Sequence, residues 1–292
     1  MSTEPQRNTS RLKAIMERRQ AVIVPGAANA LFARVIAETG FEAVYATGAG
    51  IANMALGAPD IGLTTLTEVA DIVASIVDAV DKPVIVDGDT GFGNAVNVVR
   101  TTRVLERAGV AGIQIEDQVF PKKCGHFEGK DVISCEEMVQ KIKAMADTRR
   151  DGDLQIIART DARSTLGYQA ALDRAHAFIE AGADVTFVEA PTSLEELLGI
   201  PKALPFPQVA NMVFGGKTPD PGQAALQEAG FSIVLYANAV LQAALRSSYQ
   251  VLATLKADGS LERASALLAT FSERQNAVAK ADWDAIETRY RF

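Results

Sequence analysis

The sequence predicts an α/β fold, a (β/α)8 TIM barrel with a leading helix and extra C-terminal helices. Four times, a helical segment ends on a glycine and a short β-branched or aromatic run follows, at Gly40, Gly109, Gly182 and Gly230. Four further short apolar runs lie between these, so that strands and helical segments alternate eight times. Near-continuous apolar strands are typical of a parallel sheet that is buried on both faces. No G-x-G-x-x-G motif follows the first strand, which disfavours a doubly wound nucleotide-binding sheet.

The elements follow in a regular order after a leading helix. The predicted strands are residues 21–24, 43–47, 83–87, 112–116, 155–159, 185–189, 208–212 and 232–236. Helices between them have start signals, since Thr65, Ser134 and Ser193 each precede a glutamate by three residues, as in a capping box. No linker interrupts the pattern. We therefore expect one domain, 1–292, composed of a leading helix (1–20), a barrel (21–255) and a C-terminal helical extension (256–292).

Composition excludes several classes of protein. Of the 292 residues, 48% are hydrophobic and only 2 are cysteines, which excludes a disordered chain and a disulfide scaffold. A net charge of -7 without a basic run argues against a nucleic-acid partner. No uncharged run reaches the roughly 20 apolar residues of a membrane span. The N-terminus lacks the apolar core of a secretory signal, so we expect a cytoplasmic protein with reduced cysteines.

Polar residues lie at the C-terminal ends of most of the predicted strands. The catalytic residues of a barrel enzyme lie at this end. The polar residues are Thr47, Asp87 with Asp89, Glu116 with Asp117, Arg159 with Asp161, Glu189, and Asn211. Solitary polar residues at strand ends are common in any barrel. Acids on successive strands, followed by an arginine, another acid and an asparagine, predict one shared site.

Asp87 and Asp89 predict a metal site. Residues i and i+2 of a strand point to the same side, which brings the two carboxylates together, and like charges this close need a cation between them. Oxygen ligands without a nearby histidine favour Mg2+ or Mn2+ over zinc. The alternative is a solvated Asp-Gly-Asp turn, and Glu116 on the neighbouring strand favours the metal.

The loop 118–133 is longer than most connections between a strand and a helix, and it is predicted to be a lid. Its centre holds Cys124, Gly125 and His126, with two lysines directly before the cysteine. Neighbouring cations stabilise a thiolate, and Gly125 and Gly129 permit hinge motion. Most cysteines are small buried hydrophobes. A cysteine among charges in a loop favours proton transfer instead.

Several motifs together carry a family resemblance. They are Tyr45-Ala-Thr-Gly-Ala49, Gly57-Ala-Pro-Asp60, Val86-Asp-Gly-Asp-Thr-Gly-Phe-Gly93, Ile115-Glu-Asp-Gln118, Lys122-Lys-Cys-Gly-His126, Ala158-Arg-Thr-Asp-Ala162, Val188-Glu-Ala-Pro191 and Asn211-Met-Val-Phe-Gly-Gly-Lys-Thr-Pro219. On these, the chain resembles the isocitrate lyase and phosphoenolpyruvate mutase superfamily, in its short lyase branch, from about residue 22 to 255.

The resemblance implies Mg2+, with Mn2+ as a substitute, held directly or through water by Asp60, Asp87, Asp89 and Glu116. It implies that Tyr45, Thr47, Gly48 and Ala49 bind the α-keto-acid half of a di-acid substrate. The cysteine of the lid disfavours the phosphonate-forming mutases, which lack it. A C-terminal helix swapped between subunits is also implied, and with it a homodimer or homotetramer.

The expected reaction is a retro-Claisen cleavage of a 2-hydroxy dicarboxylate. Arg159 and Asn211 would stabilise the enolate, and Glu189 would orient Arg159 or assist proton transfer. Cys124, beside His126, would protonate the enolate carbon. Tyr45 is the candidate base for the C2 hydroxyl.

The expected substrate is 2,3-dimethylmalate or a related substituted malate, giving pyruvate or another α-keto acid and a short carboxylate. Methylisocitrate lyases carry an arginine early in the helix after the eighth strand, whereas here the first arginine is Arg246. The alternatives are an oxaloacetate hydrolase or decarboxylase, a methylisocitrate lyase, and a metabolite-binding barrel without turnover.

Overall fold

The computed structural model describes residues 6–123 and 129–291, and over these residues eight parallel strands form a barrel. The strands are β1 (Val22–Ala27), β2 (Val44–Ala46), β3 (Val84–Asp87), β4 (Gly112–Glu116), β5 (Gln155–Thr160), β6 (Val185–Val188), β7 (Val209–Asn211) and β8 (Ile233–Tyr236). Their order is β6-β5-β4-β3-β2-β1-β8-β7. A parallel bridge between Thr186 and Gln208 joins the two ends of this order. The predicted (β/α)8 fold is confirmed.

Helices connect the strands and extend the chain at both ends. They are α1 (Asn8–Arg18), α2 (Ala30–Glu38), α3 (Gly48–Ile51), α4 (Leu66–Ala79), α5 (Ala95–Arg107), α6 (Cys135–Thr148), α7 (Arg163–Leu166), α8 (Tyr168–Glu180), α9 (Leu194–Ala203), α10 (Gln223–Ala229), α11 (Ala239–Asp258), α12 (Phe271–Ala277) and α13 (Lys280–Arg289). A π-helical turn (Ala52–Leu56) follows α3, and a 3-10 helix (Glu262–Leu267) follows α11. Thr65, Ser134 and Ser193 cap α4, α6 and α9, each accepting the amide hydrogen of the glutamate three residues on. The reciprocal hydrogen bond of a full capping box is present at Thr65, whereas Ser134 and Ser193 make the N-cap hydrogen bond alone.

The barrel interior is packed with side chains that alternate along the strands, and α1 closes one end of it. Leu235 of β8 lies in the interior cluster, whereas its neighbour Val234 lies in a cluster between strands and helices. Leu12 and Met16 of α1 belong to the interior cluster. The Ser232 hydroxyl donates to the Met16 carbonyl at 2.6 Å, just before β8 begins. Because α1 covers the end where strands begin, the opposite end is left for a site.

Backbone contacts divide the chain into two compact units, Met1–Ala239 and Val240–Phe292. The second unit, taken by itself, contains nearly all of α11 together with α12 and α13. Among its described residues, 240–291, Ala264 is the one that is buried, and many large apolar side chains are exposed. In the described part of the whole chain, no helix is long and apolar enough to cross a membrane. The expected cytoplasmic location and the three predicted segments stay predictions.

Candidate active site

Three of the predicted acids lie together where β3 and β4 end. The two strands pair in parallel with Asp87 opposite Gln114. The chain after β3 stays against β4, because the Gly88 amide donates to the Gln114 carbonyl and the Glu116 amide donates to the Asp89 carbonyl, both at 2.8 Å. Asp87, Asp89 and Glu116 are consequently buried, with 7%, 5% and 1% of their surface exposed.

Lys122 lies inside this acid cluster. Its Nζ atom is 2.5 Å from Asp60 Oδ1 and 2.7 Å from Asp89 Oδ1, and its side chain is 3% exposed. Asp60 comes from the loop after the π-helical turn Ala52–Leu56. The sequence places Lys122 only as one of two lysines before Cys124. It does not predict the contact with the acids, because that contact depends on the path of a long loop.

Burial changes the protonation of the cluster. Burial raises the pKa of Asp89 to about 6, although the nearby Lys122 ammonium opposes the shift. Burial also raises the pKa of Glu116 well above its usual range, against the effect of Arg159. Burial alone would lower the pKa of Lys122, but the surrounding carboxylates, Asp89 first, raise it well above its usual value. Removal from water therefore favours the protonated forms of Asp89 and Glu116, and a cation beside them would oppose that effect.

The donor atoms of the cluster fit a hard divalent cation. Glu116 Oε1 is buried without a hydrogen-bond partner, and Asp89 Oδ1 has the Lys122 ammonium beside it but no hydrogen bond of good geometry. Within residues 6–123 and 129–291, no three Asp, Glu, His or Cys side chains are placed so that they could hold a metal ion by themselves. Carboxylate oxygens are nevertheless the ligands that Mg2+ and Mn2+ prefer, and Mg2+ usually keeps several water molecules between itself and the protein. The four acids, Asp60 included, could thus hold such an ion with water molecules completing the contacts.

Arg159 is held in place by carboxylates on three sides. Its Nε and Nη2 atoms donate to the two oxygens of Asp161 at 2.9 and 3.0 Å. Its Nη1 lies 3.2 Å from Glu116 Oε2, and its Nε lies 3.9 Å from Glu189 Oε2. Burial alone would lower the pKa of Arg159, but these carboxylates, Asp161 first, raise it well above its usual value. Asp161 also accepts a hydrogen bond from Lys130 Nζ at 2.7 Å.

Gln114, which the sequence reasoning missed, links Tyr45 to Asp87. The Tyr45 hydroxyl donates to Gln114 Oε1 at 3.0 Å, and Gln114 Nε2 donates to Asp87 Oδ1 at 3.3 Å. Burial, and then Asp87, raise the pKa of Tyr45 well above its usual value, so the phenol keeps its proton. The sequence spacing could have identified Gln114 as a site residue. It lies two residues before Glu116, and alternation along the strand points both side chains into the barrel.

The segment after β2 lies against the acid cluster. The Gly48 amide is 3.3 Å from Asp87 Oδ2, and a Cβ atom at Gly48 would lie only 2.9 Å from that oxygen, so a larger residue would displace the Asp87 carboxylate. The Thr47 hydroxyl donates to Asn238 Oδ1 at 3.3 Å. At the ends of β6 and β7, Asn211 Nδ2 lies 3.3 Å from one oxygen of Glu189 and 3.4 Å from the other.

A cavity at this end of the barrel brings eight predicted residues together. They are Tyr45, Thr47, Ala49, Asp60, Asp87, Arg159, Glu189 and Asn211. Five lining residues were not predicted, namely Phe187, Val213, Leu235, Ala237 and Asn238. Among the described residues that line the cavity, Arg159 is the one cation. Cys124, Gly125 and His126 lie outside the described residues, and their predicted roles stay predictions.

Known proteins resemble this chain over nearly its whole length. The family model described as phosphoenolpyruvate phosphomutase matches residues 12–256. The chain is 44% identical to 2,3-dimethylmalate lyase of Eubacterium barkeri over 281 residues, which cover 96% of this chain and 97% of that protein. It is 45% identical to 2-methylisocitrate lyase of Aeropyrum pernix over 273 residues, which cover 94% and 88% of the two chains.

Solved structures agree with these relatives. An oxaloacetate acetylhydrolase in complex with 3,3-difluorooxalacetate matches with a TM-score of 0.93 and 32% identity, covering 98% of each chain. A phosphonopyruvate hydrolase in complex with oxalate and Mg2+ matches with a TM-score of 0.88 and 29% identity, covering 98% of this chain and 99% of that one.

Proposed function

We propose that this carbon–carbon lyase, which belongs to the phosphoenolpyruvate phosphomutase family, cleaves the C2–C3 bond of a substituted malate. The observation that carries the proposal is a cavity lined by both charged and apolar side chains. Asp87 and Arg159 are among the charged lining residues, and Phe187, Val213 and Leu235 are among the apolar ones. A 2-hydroxy dicarboxylate with alkyl substituents, such as 2,3-dimethylmalate, matches this mixed lining. The products are pyruvate or another α-keto acid and a short carboxylate.

We assign a Mg2+ ion, with Mn2+ as a substitute, to Asp60, Asp87, Asp89 and Glu116. The proposal is supported by the unpartnered Glu116 Oε1 atom and by the Mg2+ of the related phosphonopyruvate hydrolase. When bound, the ion polarises the C2 hydroxyl and lowers its pKa. The Lys122 ammonium compensates part of the charge of Asp60 and Asp89.

The other lining residues orient the substrate and stabilise developing charge. We assign the Thr47 hydroxyl and the amides of Gly48 and Ala49 to a carboxylate of the substrate. Arg159, fixed by Asp161 and supported by Glu189, faces the charge that develops on the departing carboxylate half, and Asn211 assists it. The raised pKa of Tyr45 favours a hydrogen-bond donor over a base, so we assign orientation to Tyr45 and Gln114.

We assign water as the acceptor of the C2 hydroxyl proton, and the electron pair of that O–H bond forms the C2 carbonyl as the C2–C3 bond breaks. The electron pair of the C2–C3 bond passes to C3 and the adjacent carboxylate, and we assign Cys124 as the thiol that then gives C3 a proton. His126 and Lys123 would stabilise the thiolate that remains, whereas the Lys122 ammonium lies with Asp60 and Asp89.

Cys124→Ser is therefore expected to lower kcat by about 10²- to 10⁴-fold, the usual range for a proton-transfer group. Substrate affinity should change little, as measured by calorimetry. Cys135→Ser, at the start of α6, is the matched control, and normal turnover by Cys124→Ser would remove Cys124 from this role.

The test of the substrate assignment is a comparison of three acids. Purified protein with Mg2+ should release pyruvate from 2,3-dimethylmalate with a higher kcat/KM than from 2-methylisocitrate, and EDTA should stop the reaction. The physical reason is that Arg159 is already shared by three carboxylates, and no second cation stands among the described residues that line the cavity to bind the third carboxylate of a tricarboxylate. Preferred consumption of oxaloacetate would favour the hydrolase or decarboxylase alternative. No turnover of any of the three would favour a metabolite-binding barrel.

We infer that the chain assembles into a homodimer or homotetramer through its C-terminal unit. Leu252 of α11, Phe271 of α12 and Trp283 of α13 are 60%, 73% and 62% exposed, and monomers rarely expose so many large apolar side chains together. Light scattering after size exclusion should give two or four times the chain mass of 31.1 kDa. Leu252→Glu with Trp283→Glu should lower that mass, whereas Gln250→Glu on the same helix should not. A monomeric unchanged protein would contradict the inference.

A further inference from the structure

The loop that carries Asp87 and Asp89 has a backbone that needs external support. Asp89 has a φ of 47° and Phe92 a φ of 58°, and Gly91, between them, has a φ of 86°. The left-handed region is unfavourable for a residue with a side chain, for an aspartate less than for a phenylalanine. The loop from Asp87 to Gly93 therefore keeps this shape only because the surrounding structure holds it.

Each of four successive carbonyls in this loop has a specific donor. The Gly88 carbonyl accepts from the Gly91 amide at 2.9 Å, and the Asp89 carbonyl accepts from the Glu116 amide at 2.8 Å. The next two accept from helix side chains behind the loop. Lys141 Nζ of α6 donates to the Thr90 carbonyl at 3.1 Å, and the Thr101 hydroxyl of α5 donates to the Gly91 carbonyl at 2.9 Å.

Lys141 is an unusual hydrogen-bond donor, because it is a lysine that is buried. Its side chain is 3% exposed, and no carboxylate among the described residues lies within salt-bridge distance of it. Burial lowers the pKa of Lys141, and Glu137 and Asp117 oppose that shift only from a distance. Burying an amine without a paired charge is costly. A methionine or leucine would pack in the same place without that cost, so the hydrogen bond to the loop is what distinguishes lysine here.

We propose that Lys141 is a positioning residue that fixes the Asp87–Gly93 loop from behind and thereby keeps the Asp87 and Asp89 carboxylates directed into the site. Lys141 touches neither carboxylate and acts through the Thr90 carbonyl. The effect on metal affinity rests on the proposed Mg2+ site, whereas the effect on the loop does not. Residues behind metal ligands typically change metal affinity about 10- to 100-fold when they are replaced.

Three variants test this proposal. Lys141→Met removes the donor but keeps the length and apolar stem, and Lys141→Arg keeps a donor. Lys143→Met, at an exposed position of the same helix, is the matched control. Should Lys141→Met fail to fold, Lys141→Gln gives the same comparison, because its amide is too short to reach Thr90.

The first readout is hydrogen exchange of the amides of residues 88–93 in metal-free protein. Exchange should become at least about tenfold faster in Lys141→Met, a loss of about 1.4 kcal/mol of local stability, while Lys141→Arg and Lys143→Met stay near the unchanged protein. The second readout is Mn2+ affinity by electron paramagnetic resonance, which should weaken about 10- to 100-fold in Lys141→Met and recover in Lys141→Arg.

The two readouts separate this proposal from the proposed function. Unchanged exchange of residues 88–93 in Lys141→Met would overturn the positioning role. An equal loss of exchange protection at residues 88–93 in Lys141→Met and Lys143→Met would overturn the positioning role as well. Absence of Mn2+ binding by the unchanged protein would overturn the proposed metal site, and the exchange data would still decide the role of Lys141.

Discussion

Asp87→Asn is expected to abolish metal binding and Mg2+-dependent turnover. Asp87 Oδ1 accepts from the Asp89 amide at 3.2 Å and from Gln114 Nε2 at 3.3 Å, and its Oδ2 accepts from the Gly48 amide at 3.3 Å. Asparagine has the same shape and can keep the first two of these hydrogen bonds. It lacks the negative charge and the second oxygen that a hard divalent cation requires. Titration with Mn2+ measures the loss of metal binding, and the rate of product release with Mg2+ measures the loss of turnover.

The stability of the metal-free protein should respond differently from its activity. The charge of Asp87 helps to raise the pKa of both Asp89 and Glu116, so it repels them when no cation is bound. Asp87→Asn relieves this repulsion and loses about one hydrogen bond, worth about 1 kcal/mol. In EDTA, its free energy of unfolding should therefore lie within about 1.5 kcal/mol of the unchanged protein.

Asp78→Asn, at an exposed position of α4, is the matched control and should keep both metal binding and turnover. If Asp87→Asn still bound Mn2+ as tightly as this control, the metal site would have to lie elsewhere. A large drop in stability in EDTA would show instead that Asp87 stabilises the fold, which contradicts the repulsion inferred here.

The strand ends were the part of the site that could be predicted from sequence. Parallel strands in a barrel bring their C-terminal ends to one edge, so Asp87, Glu116, Arg159 and Glu189 had to lie near one another once the strands were recognised. Alternation by two residues also brings Arg159 and Asp161 to the same side. These placements depend only on local periodicity and on the closure of the sheet.

The residues that were missed depend on longer paths. Lys122 reaches Asp60 and Asp89 from a long loop, and no local pattern determines where such a loop returns. Lys141 lies on α6 among alternating polar and apolar residues, where a lysine is typical of a solvated face. Its burial becomes evident only when α6 is placed against the loop after β3.

Arg159→Met is expected to lower the free energy of unfolding by about 3–5 kcal/mol, the usual cost of removing one partner from a buried charge network. Its guanidinium lies against Glu116, Asp161 and Glu189, all of which are 1% exposed or less. Without it, three buried carboxylates face one another across the strand ends. Urea unfolding in EDTA measures the loss. Arg163→Met, which breaks a partly exposed pair with Glu196, should cost only about 1 kcal/mol.

Arg159→Lys separates the structural role of the charge from its chemical role. A lysine keeps the charge among the three carboxylates and should retain most of the stability that Arg159→Met loses. Its ammonium lacks the planar fork that donates to both oxygens of Asp161, and it cannot also face the cavity in a fixed orientation. Turnover of 2,3-dimethylmalate should therefore fall in both variants, whereas stability should fall mainly in Arg159→Met. Full activity with lysine would mean that charge alone suffices at this position, and the assignment of the guanidinium to the developing enolate would be wrong.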